Sequence, residues 1–154
     1  MKILVMSDSH GAKNSMLQAI KKESPDYILH LGDNDRDCSV ITAKYPEIPL
    51  RNVKGNCDGF SSLSETEGFE IEDKNILMTH GHLFYVKTSL TRLKQYANDQ
   101  KPDIVLFGHT HNPHKEEMND ILFINPGSIG FGTPKTYAVI NIDDGKITSE
   151  IKNL

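Results

Sequence analysis

The sequence is poor in cysteine, in long apolar runs and in net positive charge, and each shortage excludes a class of protein. Its two cysteines, Cys38 and Cys57, form no spaced pair, which disfavours a disulfide framework and predicts a reduced, cytoplasmic setting. The longest apolar runs, such as 3–6 and 104–107, are too short for a membrane span. A net charge of −4 argues against a basic face that would bind duplex nucleic acid.

The composition that remains is typical of one globular domain. The chain has 154 residues, of which 37% are hydrophobic and 25% are charged, so it is neither disordered nor fibrous. Dividing this length into two domains would leave each half with a marginal core. We therefore predict a single domain over residues 1–154.

Apolar strands alternate with helices in the first half of the chain, whereas strands dominate the second half. Strands are predicted at 2–7, 27–31, 48–53, 69–72, 76–79, 103–107, 121–124, 137–142 and 146–151. Helices are predicted at 14–23, with Asn14 as the cap, at 36–45 and at 88–97, and a hairpin turn at 73–75. Two successive βα units indicate a parallel core. The pattern predicts an α/β fold with two sheets packed face to face and helices outside.

Most residues that can carry chemistry directly follow a predicted strand. They are Asp8-Ser9-His10, Gly32-Asp33, Gly55-Asn56-Cys57-Asp58, His80-Gly81-His82 and Gly108-His109-Thr110-His111. Because loops at the carboxyl ends of parallel strands gather in one crevice, we expect these side chains to lie together. Oxygen and imidazole donors suit Mn, Fe, Ni or Zn better than they suit a thiolate zinc finger. The sequence therefore predicts a metal centre built from five loops.

This ordered set of motifs resembles that of the calcineurin-like metallophosphoesterases, above all their small bacterial and archaeal phosphodiesterases, which lack a cap domain. The resemblance spans essentially the whole chain. It implies a four-layer αββα sandwich (α/β, or α+β by some schemes) of two mixed sheets flanked by helices. It also implies two divalent metal ions, with Mn as the first expectation and Ni, Fe or Zn as alternatives. Asp8, His10 and His111 would hold the first ion, Asn56, His80 and His109 the second, and Asp33 both.

The activity that the resemblance implies is hydrolysis of a phosphoric ester, namely a small or flexible phosphodiester. Two ions about 3.5–4 Å apart would share a hydroxide that attacks phosphorus in line. With only two carboxylates among the ligands, the loaded site keeps a positive charge that favours a small anionic phosphate ester. A phosphomonoesterase or nucleotide phosphatase with the same ions stays open, and so does a non-catalytic metal-binding interaction scaffold. By analogy with small members of the group, a homo-oligomer is also expected.

One position departs from the pattern that many members of the superfamily share. Cys57 stands where they have a histidine after the motif asparagine, and a thiol is a weak hydrogen-bond donor. His82 is the nearest candidate in sequence to protonate the leaving group, with a structural role as an equal alternative. Asp58 is expected to orient a neighbouring group rather than to bind metal.

Three further features are expected to be structural. His30 is interpreted as a core residue of its strand, and His114 as a solvated side chain. The glycine-rich segment that starts at Asn125-Pro126-Gly127-Ser128 precedes no predicted helix, so it does not indicate a phosphate-cradling loop. We expect it to form a turn that lines the crevice.

Overall fold

Two five-stranded β-sheets form the centre of the protein in the computed structural model, which describes residues 1–154. The first sheet contains β1 (Lys2–Met6), β2 (Tyr27–His30), β3 (Leu50–Asn52), β9 (Thr136–Asp143) and β10 (Lys146–Asn153), in the order β10-β9-β1-β2-β3. The second contains β4 (Thr66–Ile71), β5 (Lys74–Thr79), β6 (Ile104–Leu106), β7 (Pro113–Met118) and β8 (Ile121–Pro126), in the order β4-β5-β6-β8-β7. Both sheets are mixed, since β1 pairs parallel with β2 and antiparallel with β9, and β8 pairs parallel with β6 and antiparallel with β7.

Three α-helices cover the outer faces of the sheets. Helices α1 (Lys13–Glu23) and α2 (Ser39–Lys44) pack on the first sheet, and α3 (Thr91–Gln100) packs on the second. This arrangement confirms the αββα sandwich of two mixed sheets that the sequence predicts. None of the helices is long and apolar enough to cross a bilayer.

The alternation of side chains along β1 shows why the sheets are covered on both faces. Ile3 and Val5 point into the large core between the two sheets, whereas Leu4 and Met6 join the core beneath α1 and α2. All four are fully buried, because successive side chains of a strand point to opposite faces and both faces here are covered. The strand ends are held firmly for the same reason, and the loops that follow them start from fixed positions.

The structure corrects several details of the predicted elements. Asn14 lies inside α1, which starts at Lys13 without a side-chain cap. The helix predicted at 36–45 is a 3-10 turn over 35–38 that continues into α2, and the helix predicted at 88–97 starts at Thr91. The hairpin turn is at Glu72 and Asp73, both with positive φ, since Ile71 pairs with Lys74.

Strand β7 was not predicted at all. Its sequence, PHKEEM, has almost no apolar residue, and its side chains alternate between exposed and half-buried positions at the edge of the second sheet. An edge strand with one solvated face needs no apolar run, so hydrophobicity alone cannot reveal it. Its register comes from pairing with β8, from Pro113 opposite Pro126 to Met118 opposite Ile121.

Candidate metal centre

The loops after β1, β2, β3, β5 and β6 contain the side chains that the sequence analysis singles out. Three of these strands are parallel neighbours in the first sheet, and two are parallel neighbours in the second. Each group of potential ligands described below draws on both sheets. The crevice therefore lies between two sheets, and not along the edge of one open sheet as the strand-end argument assumed.

Two groups of side chains meet there, and they share one carboxylate. The first group is Asp8, His10, Asp33 and His111, and the second is Asp33, His80 and His109; within each, one ligand atom per residue lies within 4.8 Å of every other. His111 Nε2 lies 3.2 Å from Asp8 Oδ1, and His80 Nε2 lies 3.4 Å from Asp33 Oδ2. These two groups match the predicted ligand sets in every residue except Asn56.

The first group has polar atoms that no protein atom satisfies. Asp8 Oδ1 and His10 Nε2 are buried and have no hydrogen-bond partner. Burying such atoms is costly unless something pairs with them. A divalent cation would pair with both, and the mixed carboxylate and imidazole donors suit a first-row transition metal. The residues present therefore fit a metal ion.

The backbone at these residues is unusual. Asp8, His10, Asp33, His109 and His111 all have positive φ, between 42° and 68°. Aspartate, asparagine and histidine tolerate this left-handed region better than most residues, yet each such residue still costs about 1–3 kcal/mol. The surrounding structure holds five strained residues in one place, as is common at functional sites.

Close packing of backbone around the carboxylates explains two of the neighbouring glycines. A Cβ on Gly108 would collide with Ser7 Oγ and lie 3.0 Å from Asp8 Oδ2. A Cβ on Gly55 would collide with the carboxylate of Asp33. A side chain at Gly55 would displace the carboxylate of Asp33, and one at Gly108 would displace the Ser7 hydroxyl that donates a hydrogen bond to Asp8 Oδ2.

The electrostatics of the crevice follow from its burial and its two carboxylates. Burial acts to raise the pKa of Asp33, but hydrogen bonds from His80 and from the backbone N–H of Cys57 outweigh it and lower that pKa far below its ordinary value. Burial acts to lower the pKa of His80, but Asp33 and Asp8 outweigh it and raise that pKa. Burial and the neighbouring His80 lower the pKa of His109 to about 4. Asp33 is therefore an anion throughout the neutral range.

Comparison with known proteins identifies the family. Residues 1–145 match the calcineurin-like phosphoesterase superfamily domain. The chain is 30% identical over 154 residues to the probable metallophosphoesterase YsnB of Bacillus subtilis, covering 96% of this chain and 88% of that protein. This chain belongs to the calcineurin-like phosphoesterases.

Two further proteins are similar to this calcineurin-like phosphoesterase over most of its length. The phosphodiesterase YfcE of Escherichia coli K12 is 26% identical over 170 residues, covering 93% of this chain and 89% of that protein. A predicted phosphoesterase from Streptococcus pneumoniae has a crystal structure that superposes with a TM-score of 0.81 at 31% identity, covering 99% of this chain and 88% of that one.

Asp58 is the buried residue that shapes the loop around Asp33. Its carboxylate accepts hydrogen bonds from the backbone N–H groups of Asp33, Asn34, Asp35 and Gly55, at 2.8–3.0 Å. It belongs to neither ligand group. The structure thus places Asp58 as a residue that orients its neighbours.

Asp37 does for the loop of His10 what Asp58 does for the loop of Asp33, and sequence analysis missed it. Its Oδ2 accepts hydrogen bonds from Ser9 Oγ at 2.8 Å and from the backbone N–H of Gly11 at 2.7 Å, on either side of His10. Nothing local marks the pairing, because the partners are 26 to 28 residues apart in the chain.

Asn56 and Cys57 lie at the exposed rim of this calcineurin-like crevice. The Asn56 side-chain amide donates to Cys57 Sγ at 3.5 Å, and the backbone N–H of Cys57 donates to Asp33 Oδ1 at 2.9 Å. Burial and the nearby Asp33 raise the pKa of the Cys57 thiol to about 11, so it is a neutral thiol at pH 7. Binding of metal by Asn56 stays a prediction.

His82 lies beside the second group. Its ring centroid is 5.5 Å from that of His80 and 6.1 Å from that of His109, and its Nε2 lies 3.6 Å from Glu65 Oε1. Its Nδ1 is buried without a partner, and burial together with the charge of His80 lowers its pKa. The position suits either role that the sequence analysis left open, and the assignment as acid stays a prediction.

The other two histidines lie where the sequence analysis put them. His30 is fully buried at the end of β2, and its Nδ1 accepts a hydrogen bond from the backbone N–H of Gly32 at 3.3 Å. His114 is partly exposed on β7 and pairs with Glu116 at 3.0 Å.

Proposed function

We propose that this chain is a metal-dependent phosphodiesterase that hydrolyses a small or flexible phosphodiester with two divalent ions. The observation that carries the proposal is the position of Asp33, whose carboxylate belongs to both ligand groups. A shared carboxylate is what places two ions close enough to act on one phosphate. The phosphodiesterase name of the similar Escherichia coli protein supports the choice of diester.

The ligand groups divide into two sets of residues. Asp8, His10 and His111 would hold one ion, His80, His109 and Asn56 the other, and Asp33 both. When bound, two such ions would acidify a shared water for in-line attack on phosphorus and neutralise charge on the phosphate oxygens. Manganese is the first candidate, with Ni, Fe or Zn as alternatives, because the donors are oxygen and imidazole nitrogen.

The rest of the crevice would orient these ligands and exclude competing geometries. Asp58 fixes the loop of Asp33, and Asp37 fixes the loop of His10, because each carboxylate accepts hydrogen bonds from backbone N–H groups of that loop. His80 is fixed by a hydrogen bond between its Nδ1 and the carbonyl oxygen of Leu31 at 2.8 Å, so its Nε2 points into the crevice. Support of this kind keeps the ligand atoms in place before any ion arrives.

Protonation of the leaving group is the weak point of this site. Cys57 offers a thiol, which is a poor proton donor, where many relatives in the superfamily offer imidazole. His82 is the remaining candidate beside the second group. We therefore propose that the enzyme acts best on esters whose leaving groups need little protonation. We also propose a cytoplasmic setting, which the two free cysteines support.

Metal reconstitution tests this function directly. Protein stripped with chelator is refilled with Mn²⁺, Ni²⁺ or Zn²⁺ and assayed on bis(p-nitrophenyl) phosphate and on p-nitrophenyl phosphate. We expect metal-dependent turnover with the diester preferred. A preference for the monoester would indicate the phosphatase alternative, and no turnover with either ester and any metal would indicate the scaffold.

Two variants complete that test. Asp33→Ala removes the shared carboxylate and should abolish turnover, a loss beyond about 100-fold. Asp33→Asn keeps the shape of the side chain at a positive φ and separates loss of charge from misfolding. Asp120→Asn, an exposed turn residue, serves as the matched control and should keep wild-type activity.

A further inference from the structure

The glycine-rich segment after β8 is fastened to the loop of Asp8. Ser128 Oγ donates to the carbonyl oxygen of Asp8 at 2.8 Å, and the backbone N–H of Gly130 donates to the same oxygen at 3.2 Å. Ser128 Oγ also accepts the backbone N–H of Phe131 at 2.8 Å. A Cβ on Gly130 would collide with the carbonyl oxygen of Ser9, so the two loops are in direct backbone contact. The position of Phe131 is therefore tied to the metal-centre loop.

The ring of Phe131 packs on two imidazoles of the first ligand group. Its centroid lies 4.7 Å from that of His10, and 5.5 Å from that of His111 with only 21° between the ring planes. The residue is nevertheless 52% exposed, so it contributes little to any core. An exposed phenylalanine held against two ligand side chains calls for a role at the site.

His80 of the second group is oriented by a hydrogen bond that His10 and His111 of the first group lack. Metal-binding histidines usually donate their second ring N–H to a carbonyl or carboxylate, which fixes the ring. His80 follows this rule through its Nδ1 and the carbonyl oxygen of Leu31. The Nε2 atom of His10 lies 3.6 Å from Asp33 Oδ2, and that of His111 lies 3.2 Å from Asp8 Oδ1, while the faces of both rings pack on Phe131. Ring packing is the restraint that these two imidazoles share.

We propose that Phe131 is a positioning residue whose ring, in place of hydrogen bonds, holds the imidazoles of His10 and His111 in the orientation that binds the first ion. The proposal rests on the proposed function only in requiring that this group bind a divalent cation. The side chain of His111 is 36% exposed, so without the phenyl ring it would be free to rotate towards solvent. In a variant without the ring, metal binding would have to immobilise the His111 side chain, which the wild-type chain already holds in place, and this loss of conformational entropy would weaken binding.

The first measurement is metal affinity at the first group alone. His109→Gly removes a ligand of the second group and suits the positive φ of that position, leaving Asp8, His10, Asp33 and His111 intact. In this background, Co²⁺ binding is followed by calorimetry and by visible absorption. We expect Phe131→Ala to weaken binding about 10-fold, at the lower end of what loss of an orienting partner costs. Phe131→Tyr should bind Co²⁺ as tightly as the chain with Phe131, because it keeps the aromatic ring.

The matched control is Phe60→Ala. Phe60 is 96% exposed on the loop after Cys57 and has no ring contact with any histidine, so its removal should leave Co²⁺ affinity unchanged. Unchanged affinity in Phe131→Ala would overturn the proposal. A loss that Phe131→Tyr fails to restore would overturn it too, because the backbone of the loop, and not the ring, would then be the cause.

The second measurement needs no metal and separates this proposal from the proposed function. In the metal-free protein, the NMR resonances of the His10 and His111 rings should show ring-current shifts from Phe131. Phe131→Ala should remove these shifts from His10 and His111, and it should leave the resonances of His80 unchanged. Failure of the wild-type chain to bind Co²⁺ would contradict the proposed function, whereas ring shifts of His10 and His111 that do not change in Phe131→Ala would contradict this inference alone.

Discussion

Asp58 accepts a hydrogen bond at 2.9 Å from the backbone N–H of Asp33, the residue whose carboxylate belongs to both ligand groups. The same carboxylate accepts three more backbone N–H groups, from Asn34 and Asp35 in the loop of Asp33 and from Gly55 in its own loop. One buried acid thus fixes the backbone under the shared ligand without belonging to either group.

Replacement of Asp58 should impair metal binding and stability together. In Asp58→Ala the four N–H groups lose their acceptor, so we expect metal affinity to fall about 10–100-fold. The free energy of unfolding should also fall, by about 1–3 kcal/mol or more, because buried donors are left unpaired. Asp58→Asn keeps an acceptor oxygen and should lose less of both. Calorimetric titration with Mn²⁺ and urea unfolding measure the two effects, and equal values for Asp58→Ala and the control Asp120→Asn would contradict the expectation.

A methyl group at Gly108 should disturb the site more than it disturbs the fold. Gly108→Ala places a Cβ against Ser7 Oγ and 3.0 Å from Asp8 Oδ2, so the hydroxyl that donates a hydrogen bond to Asp8 Oδ2 at 2.6 Å must move. We expect a loss of metal affinity of about 10-fold or more. Gly68→Ala is the control, since nothing lies within 4 Å of its added Cβ. Metal titration of both variants decides the matter: the expectation fails if they bind equally well.

The dependence of rate on the leaving group should reveal how protons reach it. Because Cys57 is a poor donor, rates over a series of aryl and alkyl phosphodiesters should fall steeply as the pKa of the leaving alcohol rises. If His82 is the acid, His82→Ala should steepen that fall, while His114→Ala on β7 should leave it unchanged. A flat dependence in the wild-type enzyme would show that protonation is efficient, and an unchanged slope in His82→Ala would remove His82 from the mechanism.

A buried acid far from the crevice should contribute to the loss of stability in acid. Glu23 on α1 accepts a hydrogen bond from Tyr137 Oη at 2.7 Å and lies 3.1 Å from Lys152 Nζ. Burial acts to raise the pKa of Glu23, but these partners outweigh it and lower the pKa below the ordinary 4.5. Since the folded pKa is the lower one, the stabilisation is complete above about pH 4.5 and disappears as pH falls through the folded value.

Glu23→Gln tests that assignment. It should reduce the free energy of unfolding at pH 7 by about 1–3 kcal/mol and flatten its decline below pH 4.5. Urea unfolding at a series of pH values measures both effects. The exposed Glu117→Gln should match the wild type, and an acid slope in Glu23→Gln as steep as in the wild type would count against the assignment.

The strands that carry the site were readable because each is a short apolar run followed by polar residues. Asp8 and His80 come directly after runs that are buried on both faces, so the ends of β1 and β5 could be placed from sequence. The division of ligands into two groups could not be read in this way, because it depends on how the two sheets face each other. The resemblance to the family supplied that division, and the structure groups the aspartates and histidines in the same two sets.

The residues that sequence reasoning missed act over long separations or from polar segments. Asp37 supports a loop 26 residues earlier, and Phe131 packs on a histidine 20 and another 121 positions away, so no local pattern marks either. The edge strand β7 lacks an apolar run because one of its faces is solvated. Asn14 resembled a cap, but α1 begins before it. In each case tertiary packing decided the outcome.

Both ligand groups combine loops of the first sheet with loops of the second. Cations bound there would add links between two layers that are otherwise joined by an apolar core and by a few polar contacts, such as the hydrogen bond between His80 and the carbonyl oxygen of Leu31. Anything that binds only the native arrangement raises its thermal resistance by mass action. In a chain whose two cysteines are both free, bound metal would thereby act as a cross-link between the sheets, and chelation would loosen the sandwich at the crevice.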